Sequence, residues 1–423
     1  MEVDLIALAV PFFLLMIVLE LVLDRIRGTG YFQLQDALGS LSAGAFNSTT
    51  GIFTKLVSIA IYAWVLEHAA LFVIPHSWFG LSAGGVLAWL GILIFWDFMY
   101  YWKHRLGHEV SVFWAAHSVH HQSEEYNLTT ALRQTSSDFL VGWVVYLPMF
   151  LVGVPVHVFA TVAAIDLIYQ FWVHTRHVDK LGWADRVFVT PSNHRVHHAQ
   201  NSAYIDKNYG GILILWDRLF GTYAAENDDD PVVFGVRKPL ASFNPLTANL
   251  QVYRYLWFDA RRARRWRDKW SIWWRRTGWR PEDVVEAFPA KKTDLARFEK
   301  YAVALSPGAR VYIVLQFLVA LVLTLMVGIV AGVASLFTVF LFCIMLWMLL
   351  TSIGMISDAS RHAWSFESLR LVFNIPVAAL FGWQFDAIGA TDGVFIALIY
   401  ATASWALCRG LSVFAEPQPL HAS

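Results

Sequence analysis

Apolar residues run along this chain in long unbroken blocks, and polar residues collect in one broad region past the middle. A helix needs about 20 apolar residues to cross a bilayer. Blocks at 4–23, roughly 45–70, 83–102, 138–154, 156–173, 309–330, 334–356, 368–386 and 392–409 meet or approach that length. The first is too long and too apolar, and lacks a small-residue cleavage site, for a removable signal peptide, so it reads as a first membrane span. Gly153 to His157, "GVPVH", is long enough only for a turn, so 138–173 reads as a hairpin, either two full spans or a re-entrant pair. The pattern predicts an all-α polytopic membrane bundle of about nine apolar segments. It divides into N-terminal spans at 1–82, a histidine-bearing domain at 83–225, a polar, basic and Trp-rich segment at 226–308, and a C-terminal membrane bundle at 309–423.

Composition strengthens this reading. The 423 residues are 57% hydrophobic and 15% charged, with a mean hydropathy of +0.49; a soluble domain carries about a quarter charged residues. Twenty Trp and 31 Phe suit aromatic belts at both interfaces. The formal net charge is zero, but the cations are unevenly placed. Arg25 and Arg27 follow the first block, Lys103 and Arg105 the third, Arg361 and Arg370 separate the seventh from the eighth, and nine Lys or Arg fall in 261–280. With nine spans and an outside N-terminus, all of these groups lie on the cytoplasmic side, as the positive-inside rule asks. That membrane is the inner membrane of a bacterium or the endoplasmic reticulum of a eukaryote. The stretch "RRARRWRDKWSIWWRRTGWR" reads as an interfacial element lying on anionic lipid. Tethered between spans, it does not suit nucleic acid. Glu226 to Asp230, "ENDDD", is a solvated turn, and Cys343 and Cys408, inside apolar runs, read as small buried hydrophobes.

Histidine changes the picture most. His104 and His108 stand four apart, so on a helix continuing out of the third block they share a face. His117 pairs at three with His120 and at four with His121, and His194, His197 and His198 repeat that spacing. Adjacent histidines differ by about 100° around a helix, so His120 can serve one metal while His121 serves a second. Eight imidazoles give about four per metal for two metals. Both clusters fall on the cytoplasmic side of the predicted topology. Imidazole suits iron, zinc, copper and nickel alike, so ligand type does not name the metal. Bis-histidine haem would place isolated histidines facing each other within the membrane, and a metal transporter would line its spans with ligands; these lie beyond the span ends. Asp166, Gln170 and His174 follow at steps of four on one face. An intramembrane Asp marks a functional site by default, here directing hydrogen bonds around the metals, and His174 is a candidate ninth ligand. His177 is a weaker one. His68, His76, His157, His362 and His421 lie away from any cluster and read as ordinary. Asn127, Thr129, Thr130, Arg133 and Gln134 could meet a lipid headgroup or serve local hydrogen bonds.

At "HRLGH", "HSVHH" and "HRVHH" the chain resembles the fatty acid hydroxylase (sterol desaturase) superfamily of membrane di-iron oxygenases, recognised by HxxxH, HxxHH and HxxHH boxes. The stretches "HEVSVFWAAHSVHHQSEEYNLTTALRQ" and "PSNHRVHHAQNSAYIDKNYGGILILWDRLFGTY" look most like its ether-lipid-cleaving branch, and the likeness covers about 83–225. The resemblance implies two iron ions held by the eight box histidines, and a requirement for Glu109 after the first box. It also implies tetrahydropterin as external reductant, although no independent pterin signal stands in the sequence. Asn193 replaces a further histidine that many members carry before the third box. The implied reaction is dioxygen-dependent oxidation of a lipid C–H bond; next to an ether oxygen it yields a hemiacetal that falls apart to fatty aldehyde and glycerol. No dinucleotide fingerprint, CxxC pair or haem attachment is present, so electrons come from a separate donor, pterin or redox protein, for which the basic 261–280 face is a candidate landing place. Other readings remain open at this point: hydroxylation or desaturation of a sterol, carotenoid, sphingolipid or fatty acid, a zinc membrane hydrolase, or a metal-binding protein without catalysis.

Overall fold

A computed structural model of the chain describes residues 5–80, 82–290, 294–384 and 389–414. Among them the architecture is helical, with isolated bridges in place of β-strands. Twelve helices carry the argument: α1 Leu5–Arg27, α2 Leu34–His68, α3 Ala83–Glu109, α4 Trp143–Leu151, α5 Val156–Trp172, α6 Pro191–His197, α7 Pro245–Arg262, α8 Trp266–Ser271, α9 Pro307–Val333, α10 Leu336–Ser357, α11 Ala363–Gln384 and α12 Ala390–Gly410. Five of the described helices, α2, α3, α9, α10 and α12, are long and apolar enough to cross a membrane. This is an integral membrane protein. The 138–173 hairpin falls short of two full spans: α4 has nine residues and α5 seventeen, about 13 and 25 Å at the helical rise, against the roughly 30 Å hydrocarbon core.

The chain forms two compact units, 1–33 with 51–240 and 249–299, and 34–50 with 241–248 and 300–423. In the first, α3 is packed on the α4–α5 hairpin through a core of Tyr62, Trp96, Met99, Tyr146, Met149, Phe150, Val158 and Val162. Tyr62 stacks on Phe150 with ring centroids 4.2 Å apart, and Phe13 of α1 stacks on Phe171 of α5 at 4.1 Å. This packing aligns the C-terminal ends of α3 and α5, with His104 and His108 on the last turns of α3 and His174 just past the end of α5.

The second unit is built on α9 to α12, and here one reading of the sequence needs correction. Arg370 is no loop cation: it lies inside α11, fully buried. Its Nε donates to Glu367 Oε2 at 2.7 Å, one terminal nitrogen donates to Gln316 Oε1 at 2.9 Å and the other to the Tyr400 hydroxyl at 3.0 Å. Glu367 also accepts from the Tyr312 hydroxyl and from Ser352 Oγ. A charge with that many partners is tolerated inside a bundle, whereas hydropathy alone places it outside. Cys343 and Cys408 are free and buried, as small apolar side chains are.

Candidate metal centre

The three boxes reach one place by different routes. His104 and His108 lie on the last turns of α3, the second box on a short helix Ser118–His121, and the third on α6, which Pro191 opens at its first turn. The first and second boxes meet at Gly107, where a Cβ would stand 3.4 Å from the His117 ring, at the near edge of ordinary van der Waals contact.

The imidazoles sort into two groups. His104, His108, His117, His121 and His197 form one, and His120, His174, His194 and His198 the other; within each group the donor nitrogens lie within 4.8 Å of one another. The groups adjoin, with the His121 and His198 rings stacked at 4.3 Å between centroids. Adjacent histidines do split between groups: His120 from His121, and His197 from His198. His174 takes its place beside three box histidines. His177 belongs to neither group and its Nδ1 lies 3.4 Å from Arg27. His68, His76, His157 and His362 lie outside both groups, and His421 lies outside the described residues.

Hydrogen bonding fixes which nitrogen of several rings faces inward. His104 Nδ1 donates to the Tyr209 carbonyl at 2.9 Å, His120 Nδ1 to the Arg133 carbonyl at 3.0 Å, His174 Nδ1 to the Gln170 carbonyl at 2.7 Å, and His197 Nδ1 to the Lys207 carbonyl at 2.9 Å. A carbonyl only accepts, so each of these Nδ1 atoms carries the hydrogen and each neutral ring turns a bare Nε2 lone pair the other way. His174 Nε2 then faces His120 Nε2 at 3.2 Å, lone pair to lone pair. Similar Nε2 approaches of 3.0 to 3.2 Å join His117 to His121, His197 to His121, His194 to His174 and His198 to His194. The Nε2 atoms of His104 and His108 are buried with no partner among the described residues. Facing lone pairs repel unless a cation sits between them. Two nitrogens each ~2.1 Å from one metal and at right angles stand ~3.0 Å apart, the spacing seen here. The donor set fits a metal in each group. Burial keeps the rings in the ligating form: it pushes His120 down to about 4 and His197 down to about 3, against the opposing pull of their Nδ1 bonds.

The carboxylates flagged from the sequence lie at the margin. Glu109 belongs to neither group; its Oε1 accepts from Arg105 Nε at 3.0 Å and its carbonyl from Thr277 N at 3.1 Å. Asp166 bonds to no imidazole among the described residues. Its Oδ2 accepts from Gln170 Nε2 at 2.6 Å, and the Gln170 backbone in turn carries the His174 bond. The polar run after the second box is used internally. Asn127 caps the helix Leu128–Ala131, Arg133 Nε donates to the Val119 carbonyl at 2.8 Å, and Gln134 donates to Ala131.

Two residues that sequence reasoning passed over hold the loop carrying the Tyr209 and Lys207 carbonyls. Asp217, fully buried, accepts from the backbone of Tyr209 at 2.7 Å and Gly210 at 2.8 Å and from Thr222 Oγ1 at 2.6 Å. Asp97 on α3 accepts from Ile212 N, Leu213 N and Trp216 Nε1 at 2.7, 3.0 and 2.9 Å. Gly211 sits between the Asp97 and Asp166 carboxylates, where a Cβ would come within 2.9 and 2.7 Å of their oxygens. A signal was available: the rule that marks Asp166, an acid inside an apolar block, marks Asp97 equally.

With this geometry in view, comparisons with known proteins give a consistent answer. The family model described as Fatty acid hydroxylase matches residues 89–222. An alkylglycerol monooxygenase of Danio rerio is 35% identical over 370 residues, covering 86% of this chain and 80% of that protein. The Homo sapiens protein of the same name is 35% identical over 373 residues, 87% and 81%. An ornithine lipid hydroxylase of Rhizobium tropici is 33% identical over 135 residues, 32% and 40%. No solved structure matches.

Proposed function

The chain belongs to the fatty acid hydroxylase family, and on that premise we propose a membrane lipid monooxygenase that holds two irons in its two histidine groups and oxidises the carbon beside an ether oxygen of an alkylglycerol. The observation that carries this reading is the pair of adjoining imidazole groups with converging lone pairs. The alkylglycerol monooxygenase relatives, matched over most of both chains, support the substrate. Iron bound here would supply the power to activate dioxygen against an unactivated C–H bond.

The chain's own residues set the conditions. The histidines offer neutral nitrogens, the backbone carbonyls of Tyr209, Arg133, Gln170 and Lys207 hold four of the rings in orientation, and burial keeps bulk water from those rings. The reaction balances with one dioxygen, two electrons and two protons: one oxygen enters the C–H bond and the other leaves as water. Beside an ether oxygen the resulting alcohol is a hemiacetal, which collapses to fatty aldehyde and glycerol. The two electrons come from an external donor, for which tetrahydropterin is the first candidate and a redox protein the second.

Supplying a long-chain 1-O-alkylglycerol and tetrahydropterin to the membrane-embedded protein is expected to release fatty aldehyde only in the presence of dioxygen. If no aldehyde forms with either class of donor while another lipid gains a hydroxyl group, ether cleavage is wrong and the ornithine lipid hydroxylase likeness becomes the guide to substrate.

The histidine groups face the cytoplasm in this reading, supported by the cations at 25–27, 103–105 and 261–280. Counting the short α4–α5 hairpin as re-entrant removes two crossings together, so the orientation is unchanged. A cysteine placed at Ser202 should label from the opposite side to one at Ser77; labelling from the same side would overturn the topology.

A further inference from the structure

The segment from Trp257 to Trp279 joins two properties that the metal centre does not explain. The first is its outer surface. Trp257, Trp266, Trp270 and Trp274 are each more than three-fifths exposed. Trp266 and Trp270, four apart on α8, share a face. Arg261, Arg264, Arg265 and Arg267 are exposed beside them, and their guanidinium groups make no ion pair among the described residues. Exposed indoles interleaved with unpaired cations form a surface that suits the headgroup layer of an anionic leaflet.

The second property is its inner edge. Val112 N donates to the Trp273 carbonyl at 2.8 Å, Ser111 N to the Arg275 carbonyl at 3.0 Å, and Thr277 N to the Glu109 carbonyl at 3.1 Å, with Val110 and Arg276 paired antiparallel. Ser111 Oγ adds a bond to the same Arg275 carbonyl at 3.1 Å, and Ile272, fully buried, packs against Ala115, Leu256 and Ala260. Glu109–Ala115, from the last residue of α3 through a short helix Ser111–Ala115, separates His108 from His117, two members of the five-histidine group. The segment is therefore backbone-paired to the one stretch that sets the spacing of the first and second boxes. Arg276 also pairs with Asp206 at 3.0 Å, next to the Lys207 carbonyl that holds His197.

We propose that Trp257–Trp279 is a strap that grips the anionic lipid surface and, through its pairing with Glu109–Val112, makes the order of the five-histidine group depend on that surface. The position favours lipid over an acidic protein. The strap is paired to the end of α3, whose 27 residues span about 40 Å, the thickness of a bilayer with its headgroups. That places the indoles at the interface, where four exposed Trp on a water-facing surface would otherwise carry a cost. The proposal is independent of which lipid is oxidised.

The test uses the full chain, metal-loaded, in nanodiscs of zwitterionic lipid alone or with anionic lipid, each in brominated and plain forms. Brominated anionic lipid should quench a fluorescence component that W266F/W270F/W274F lacks, and quench it more than brominated zwitterionic lipid does. Amides of residues 109–112 should exchange hydrogen more slowly in the anionic discs. In R261Q/R264Q/R265Q/R267Q the preference for anionic lipid should fall by about fivefold per arginine at low salt, and the exchange difference should vanish. Equal quenching by both lipids, or equal exchange in both discs, overturns the proposal in the unmodified protein, whatever the variants do. So does protection of 109–112 by an added acidic protein but not by anionic lipid.

Discussion

Two regions of this protein bury clusters of polar side chains, and they are finished differently. In the C-terminal helices, Arg370 and Glu367 are both fully buried, yet donors and acceptors match: Arg370 donates to Glu367, Gln316 and Tyr400, and Glu367 accepts from Tyr312 and Ser352 as well. In the histidine centre, hydrogen bonds on the outer side of the rings force acceptor against acceptor on the inner side. A cluster that satisfies itself is a structural element; one that presents only lone pairs is completed by a cation. Local chemistry, rather than the number of buried polar groups, separates a knot from a site.

The sharpest way to break this contrast is to remove an imidazole from either group. His120→Ala and His197→Ala are expected to abolish turnover and to lower metal content from two ions per chain towards one, while the protein stays in the membrane. His68→Ala, with its ring stacked on Trp64 away from both groups, is the control. Retained turnover together with two bound metals, measured by elemental analysis, would dissolve the assignment.

A smaller effect belongs to the other cluster. E367L leaves the Arg370 charge buried without its partner and should cost about 3–5 kcal/mol of stability. E367L/R370M, which removes both charges, should recover most of that loss, while metal content stays at the wild-type level in both. Thermal unfolding in a fixed detergent reads the difference. If the double variant is no more stable than the single one, the pair is not the self-contained unit described here.

The smallest effect sharpens the boundary of the site. D217N weakens the grip on the Tyr209 and Gly210 amides and so loosens the carbonyl that orients His104. Metal affinity should drop by roughly 10–100-fold, the usual cost of losing an outer partner of a ligating histidine. A metal titration shows it. Unchanged affinity would mean that the loop is held by its packing alone.

Much of the centre was legible in the chain, because ligand spacing on a helix is a local property. The step of four from His104 to His108, and the 100° offset of His120 from His121, follow from helical geometry without reference to anything distant. The length of the α4–α5 hairpin was not legible: Gly142, Gly153 and Pro155 bound an apolar run that hydropathy cannot divide into helix and turn. Arg370 was misplaced for a related reason: Glu367 on its own helix neutralises it, but Gln316 and Tyr400, which take its remaining hydrogen bonds, come from other helices.

The sequence by itself determined a membrane-embedded helical protein with three histidine boxes, because composition and periodicity along the chain carry that information, and the residues of the boxes and their flanks carried the family resemblance. Tertiary structure alone decided how nine imidazoles divide into five and four, that His174 stands with His120, and that Asp97 and Asp217 brace the loop behind His104 and His197. Each of those facts depends on groups more than fifty residues apart meeting at hydrogen-bond distance, or on a backbone amide or carbonyl whose direction no residue letter records.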